Sequence, residues 1–139
     1  MEQKLIFLPM FSVLLLTFVV WTYMYIKRIP FIQKGNFTPE QLTPLEFAKL
    51  SPPEISNPSD NLKNLFEIPV LFYVLCIYLY TVGEVDQTYL IAAWIFAGFR
   101  LLHSAVHCTV NIVLLRFWLY VASTMAFWFM LGRGFLSLI

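Results

Sequence analysis

The stretch that decides the fold is QTYLIAAWIFAGFRLLHSAVHCTVNIVLLRFWLYVASTMAFWFMLG, residues 87–132. Its 46 residues carry only two charged side chains, Arg100 and Arg116. One bilayer crossing takes about 20 residues, so the stretch fits two helices joined by a tight connection near residues 109–115. It therefore predicts a transmembrane hairpin, with the third and fourth helices at about 88–109 and 114–134.

Two further apolar runs precede this hairpin. Leu5–Ile26 is an uncharged run of 22 residues, which predicts the first transmembrane helix. It is too long for the apolar part of a signal peptide and has no small-residue cleavage site at its end. Asn57 followed by Pro58 has the residue types of a helix start. We therefore expect the second helix at about 58–82, with a bend at Pro69.

The composition supports this count of crossings. The 139 residues are 60% hydrophobic and 12% charged, whereas a soluble domain is about half apolar and a quarter charged. We expect one membrane domain over residues 1–139, an all-α integral membrane protein built as a four-transmembrane-helix bundle. The net charge of +1 leaves no basic surface for nucleic acid.

A polar segment separates the first two helices. Residues 27–57 hold five of the eight prolines, which predicts an aqueous loop. Most basic residues lie in or beside this loop, so the positive-inside rule places it in the cytosol. A bacterial inner membrane or the endoplasmic reticulum fits such a multi-pass protein.

The third helix carries polar side chains that lipid does not tolerate. Arg100, His103, Ser104 and His107 fall within about a 100° arc of one helix. Asn64 and Glu67 share a face of the second helix at a similar depth, and Arg116 opens the fourth helix at the same level. A charged side chain exposed to lipid costs roughly 2.5–3.5 kcal/mol. We therefore expect these residues to turn inward and meet.

Three interpretations of this cluster remain open on the residues alone. Glu67 and Arg100 are natural partners in a structural ion pair, with the histidines as hydrogen-bonded fillers. Arg116 is then a spare cation, which either binds an anion such as a thiolate, carboxylate or phosphate, or snorkels to lipid phosphates. Metal binding by His103 and His107 with Glu67 is the weakest interpretation, because an adjacent arginine repels a divalent cation. We expect no metal.

The same residues resemble the MAPEG family, the membrane-associated proteins in eicosanoid and glutathione metabolism. The resemblance covers the chain from Asn64 onward. It is carried by Asn64-Leu-Phe-Glu67-Ile-Pro-Val-Leu-Phe-Tyr73, by Arg100-Leu-Leu-His103-Ser104 with His107, and by Arg116 followed by Tyr120.

The resemblance implies a homotrimer of four-helix protomers that binds glutathione between subunits near the cytosolic face. Arg116 would be the catalytic residue, stabilising the glutathione thiolate. Arg100 would pair with Glu67, and His107 occupies a place where eicosanoid synthases carry tyrosine. The residues that would form the glutathione site are Lys63, Asn64, Glu67, Arg100, His103, His107 and Tyr120.

The resemblance further implies a glutathione transferase or peroxidase, with glutathione as co-substrate and a lipophilic small molecule as the second substrate. One departure argues for a different class. Asp60 stands where glutathione-binding members place an arginine, and it would repel a glutathione carboxylate. Whether the chain is an enzyme thus stays open, and the alternative is a non-catalytic membrane scaffold or lipid-binding protein of the same fold.

Overall fold

The computed structural model describes residues 2–139, so Met1 of the expected domain lies outside the described residues. These residues form helices and no strands. Short 3-10 helices occupy Gln3–Ile6 and Glu40–Leu42. The α-helices are α1 (Phe7–Lys34), α2 (Pro44–Leu50), α3 (Pro53–Leu65), α4 (Ile68–Val82), α5 (Gln87–Cys108) and α6 (Val113–Leu136).

The all-α class and the four membrane spans are confirmed. Four helical stretches are long and apolar enough to cross a membrane, and α3 with α4 makes up one of them. We call the end of the bundle that holds residues 35–52 the loop end. The opposite end, which holds the connection at residues 83–86, is the turn end.

The core forms where α1, α4 and α5 meet, with α6 packed along α5. The buried residues of α1 recur every three or four positions, which keeps them on one helix face. On α5 the buried face includes Ala92, Ala93 and Ala97. Small residues let helix backbones approach closely, which is how helices associate in lipid, where apolar burial gives little driving force. The close packing of α5 against α6 aligns the polar residues of these two helices.

The second span is broken where the sequence predicts a bend. Helix α3 ends at Leu65 and α4 begins at Ile68, so Phe66 and Glu67 lie between them. Pro69 has no N–H for the carbonyl of Leu65, four residues earlier, and its ring crowds that carbonyl. The helical hydrogen bonding therefore stops at that point, and Glu67 belongs to neither helix.

The expected loop at residues 27–57 contains more helix than the sequence predicts. Helix α1 continues to Lys34 instead of ending near Ile26, because Phe31 packs against Phe37 and Phe47, with ring centroids 5.3 and 5.9 Å away. Phe47 is the buried residue of α2. An aromatic cluster thus holds the end of α1, although Pro30 lies within that helix.

The second span also starts earlier than expected. Pro53 takes the first helical position of α3, and Pro58 lies inside the helix instead of starting it. Asn57 also lies inside α3 and so does not cap it; its side-chain oxygen accepts a hydrogen bond from Asn111 Nδ2 at 3.1 Å. That bond ties α3 to the connection between α5 and α6.

Candidate functional site

A polar cleft of about 490 Å³ lies at the loop end, between α3, α5 and α6. All the site residues expected from the sequence line it, except Arg100. Asp60, Val113 and Phe117 line it as well. The complete lining is Asp60, Lys63, Asn64, Glu67, His103, His107, Val113, Arg116, Phe117 and Tyr120.

His103 is held in one orientation by the backbone of α6. Its Nδ1 lies 2.7 Å from the carbonyl oxygen of Arg116. Because a carbonyl oxygen only accepts, Nδ1 must carry the proton and donate it. In the neutral ring Nε2 is then an acceptor, and this buried atom has no hydrogen-bond partner within residues 2–139. The bond fixes the tautomer and sets the ring against α6.

A chain of rings connects His103 with its neighbours. The ring centroid of His103 lies 5.5 Å from that of His107 and 5.7 Å from that of Tyr120, both in edge-on arrangements. The two histidines are each only 3% exposed. His107 Nδ1 is a second buried atom that lacks a partner in the described part of the chain. Both nitrogens are buried, so they lie behind the open surface of the cleft.

Arg100 lies outside the cleft lining, packed against it. Its side chain is fully buried, with Cζ 4.4 Å from the Tyr120 ring centroid and 5.5 Å from that of Phe96. None of its three side-chain nitrogens makes a hydrogen bond within residues 2–139. The guanidinium thus packs against two aromatic rings.

The expected ion pair between Glu67 and Arg100 is wrong for this chain. Among residues 2–139 ion pairs form within 4 Å at four places, and none includes either residue; they are Glu2–Lys4, Glu46–Lys49, Asp60–Lys63 and Asp86–Arg133. The cause is the break between α3 and α4. Glu67 leaves the helical path there and is exposed, while Arg100 faces inward from α5.

Arg116 lines the cleft as a half-buried cation. Across residues 2–139, its guanidinium belongs to none of the ion pairs. It shares the cleft with both histidines instead of lying on the far side of α6. This position provides a positive charge that no protein carboxylate neutralises, so the cleft can hold an anion.

A polar network behind the cleft was missed by sequence reasoning. Asn61 is fully buried, and its Oδ1 accepts a hydrogen bond from Ser104 Oγ at 3.2 Å. Its Nδ2 donates to Cys108 Sγ at 3.5 Å. Asn61 thus ties α3 to α5 and sets the distance across the cleft. The sequence offered one signal for its contact with the site: Asn61 lies three residues before Asn64, on the same face of α3.

The spacing of residues along α6 could also have predicted the apolar side of the cleft. Val113, Phe117 and Tyr120 recur at intervals of four and three on α6, the same face that carries Arg116. Val113 and Phe117 are more than half exposed in the protomer. The basic residues Lys27 and Arg28 at the end of the first span do not line this cleft; each borders a neighbouring cavity.

The fold and the cleft define a class: a four-span helical membrane protein with a polar site near one membrane face. A family comparison matches residues 6–136 to the MAPEG family. The chain therefore belongs to the MAPEG family, as the resemblance of its motifs predicts. No curated protein and no solved structure is significantly similar to it.

Proposed function

We propose that this protein is a membrane-bound glutathione transferase that adds the glutathione thiolate to lipophilic electrophiles or reduces hydroperoxides. The observation that carries the proposal is Arg116, a cation without an ion-pair partner in the described chain, in a cleft with two histidines. Membership of the MAPEG family supports the reaction class.

The charge balance around the cleft favours an anionic ligand. Lys63, Arg100 and Arg116 supply three positive charges, against two carboxylates from Asp60 and Glu67. With neutral histidines the surroundings carry one excess positive charge. A cation near a sulfur favours the ionised thiol, which is the nucleophile.

The residues present also fit a small peptide thiol. The volume of about 490 Å³ lies within the range of about 300–1,000 Å³ usual for small-ligand sites. Lys63 and Arg116 can donate to carboxylates or a thiolate, and Asn64 can pair with a peptide group.

The two sides of the cleft suit two substrates of different polarity. Asp60 and Lys63 border its polar side on α3, and Val113 and Phe117 border its apolar side on α6. We propose that glutathione enters from the polar side and the electrophile from the lipid. With an aryl halide, a sulfur–carbon bond forms as the carbon–halogen bond breaks. Halide leaves, and the thiol proton passes to solvent. Arg116 holds the negative sulfur before attack.

We further propose a homotrimer with the site at a subunit interface and with residues 35–52 in the cytosol. Glu67 is exposed and free of the four ion pairs, so it is available to a neighbouring subunit.

A non-catalytic scaffold of the same fold is the second candidate, because Asp60 sets a negative charge in the cleft. Heat stability separates the two. For the transferase, glutathione at about 100 times its dissociation constant adds about 2.7 kcal/mol to the free energy of unfolding. The purified protein should also conjugate a model aryl halide. The absence of both stabilisation and conjugation would favour the scaffold.

A further inference from the structure

One ion pair borders the cleft on α3. Lys63 Nζ lies 3.0 Å from Asp60 Oδ1, and the two side chains are 69% and 52% exposed. An exposed pair of this kind adds little to the free energy of unfolding. Folding therefore does not require it, and both groups remain accessible to a ligand.

This pair places opposite charges side by side on one cleft wall. A carboxylate next to an ammonium complements an α-amino-acid group, which carries an ammonium and a carboxylate on a single carbon. Such a group gives Asp60 and Lys63 one opposite charge each, through charge-assisted hydrogen bonds. A ligand group with carboxylate alone meets Lys63 favourably and is repelled by Asp60. The pair therefore discriminates between zwitterionic and purely anionic groups.

The rest of the cleft fixes the other end of such a ligand. Arg116 lines the cleft from α6, whereas Asp60 and Lys63 line it from α3. A ligand held by both walls thus carries its zwitterionic group and its anionic sulfur at separate positions along the molecule. Glutathione has this arrangement, since its γ-glutamyl end bears the free ammonium and carboxylate groups and its thiol lies on the next residue.

We propose that the Asp60–Lys63 pair binds the α-amino-acid end of the thiol co-substrate, with Asp60 selecting thiols that keep a free ammonium group. This inference rests on the proposed function. It makes Asp60 a specificity residue for glutathione. The charge of Asp60 considered alone would instead repel a glutathione carboxylate.

Calorimetric titration of the full-length protein in detergent tests the inference, with glutathione and N-acetylglutathione as probes and no electrophile. A hydrogen bond to a charged group is worth about 1.5–3 kcal/mol, so glutathione should bind at least about tenfold more tightly. In Asp60→Asn this preference should fall to within about twofold, because the ammonium loses its counter-charge.

The chain offers a matched control pair outside the cleft. Lys49 Nζ lies 2.7 Å from Glu46 Oε1 on α2, with the same spacing of three residues. Glu46→Gln should keep the full preference for glutathione. The comparison of two thiols on the unaltered protein needs no variant, so it does not depend on how a variant folds.

Each result decides the matter. Equal affinity for both thiols, or a preference that survives in Asp60→Asn, overturns the inference. If the protein still conjugates the aryl halide in that case, the proposed function stands without it. If neither thiol binds and no conjugation occurs, both proposals fail.

Discussion

The two ends of the bundle differ in how their charged side chains are satisfied. At the turn end, both guanidinium Nη atoms of Arg133 donate to the carboxylate of Asp86, with Nη1 2.7 Å from Oδ1. Gln3 exchanges two hydrogen bonds with the backbone of Val85, at 3.0 and 2.8 Å. Ser137 donates to Glu84 at 2.9 Å. The polar groups there connect the helix ends.

At the loop end, the equivalent groups lack such partners. Arg100 is buried and Arg116 faces the cleft, and neither belongs to an ion pair of residues 2–139. His103 and His107 each keep a buried nitrogen that the described chain does not satisfy. Buried polar groups are normally paired, so this difference between the charged side chains supports the ligand site that we propose at the loop end, although Tyr89 Oη at the turn end also lacks a partner within residues 2–139.

The largest expected effect comes from removing the free cation. Arg116→Ala should lower kcat/KM for aryl halide conjugation by about 100-fold, the usual effect of losing one group that stabilises a developing negative charge. Its free energy of unfolding should stay close to that of the unaltered protein, because the guanidinium makes no ion pair within residues 2–139. Lys34→Ala, at the exposed end of α1, serves as the control for loss of a basic side chain. Equal activity in all three proteins would remove Arg116 from the mechanism.

Two asparagines on α3 allow a sharper comparison. Asn61→Ala leaves Ser104 Oγ buried without its acceptor, so it should lower the free energy of unfolding by about 1–3 kcal/mol. Asn64→Ala, at a half-buried position lining the cleft, should change stability by about 0.5 kcal/mol or less and weaken glutathione binding. Thermal unfolding and titration measure the two effects. If Asn61→Ala weakened glutathione binding and Asn64→Ala lowered the free energy of unfolding, the structural role of Asn61 and the ligand-binding role of Asn64 would both be contradicted.

The smallest effect is expected at the turn end. The hydrogen bond from Arg133 lowers the pKa of Asp86 to about 2 from an ordinary 3.8. The stabilisation is therefore fully present above the ordinary value and is lost as the pH falls through about 2. Arg133→Ala should cost about 1 kcal/mol or less, because both side chains are part-exposed.

The same variant should lose this acid dependence and keep its conjugation activity. Unfolding measured from pH 5 downward, for the unaltered protein and Arg133→Ala, gives the comparison. An equal loss of stability in both proteins would show that Asp86 does not titrate through this pair.

Much of the fold could be predicted from the sequence, for an identifiable physical reason. Uncharged runs of about 20 residues have few alternatives to a helix that crosses the bilayer. The prediction for residues 27–57 was less accurate, because a packed aromatic cluster outweighs the helix-breaking tendency of Pro30. The contacts that build this cluster join Phe31 to Phe37 and Phe47, and such contacts have no signature in local composition.

The site shows the same division. Helical spacing was enough to predict that His103, His107 and the α3 residues line one cleft, because each residue of a regular helix adds a fixed angle. The same spacing gave a wrong position for Glu67, since the helix is broken before Pro69 and the expected ion pair with Arg100 does not form. Asn61 was missed because its spacing from Asn64 fits a residue that lines the cleft as well as a buried amide that ties two helices.

The central claim is that Arg116 stabilises a thiolate in the cleft, and the apparent pKa of the thiol of bound glutathione tests it most directly. Ultraviolet absorbance of the thiolate can be followed against pH with the unaltered protein and with Arg116→Ala. We expect the unaltered protein to lower that pKa by about one unit or more from the value of about 8.5 for a free cysteine thiol, and Arg116→Ala to return it toward that value. The same apparent pKa in both proteins, with glutathione bound to each, would contradict the claim.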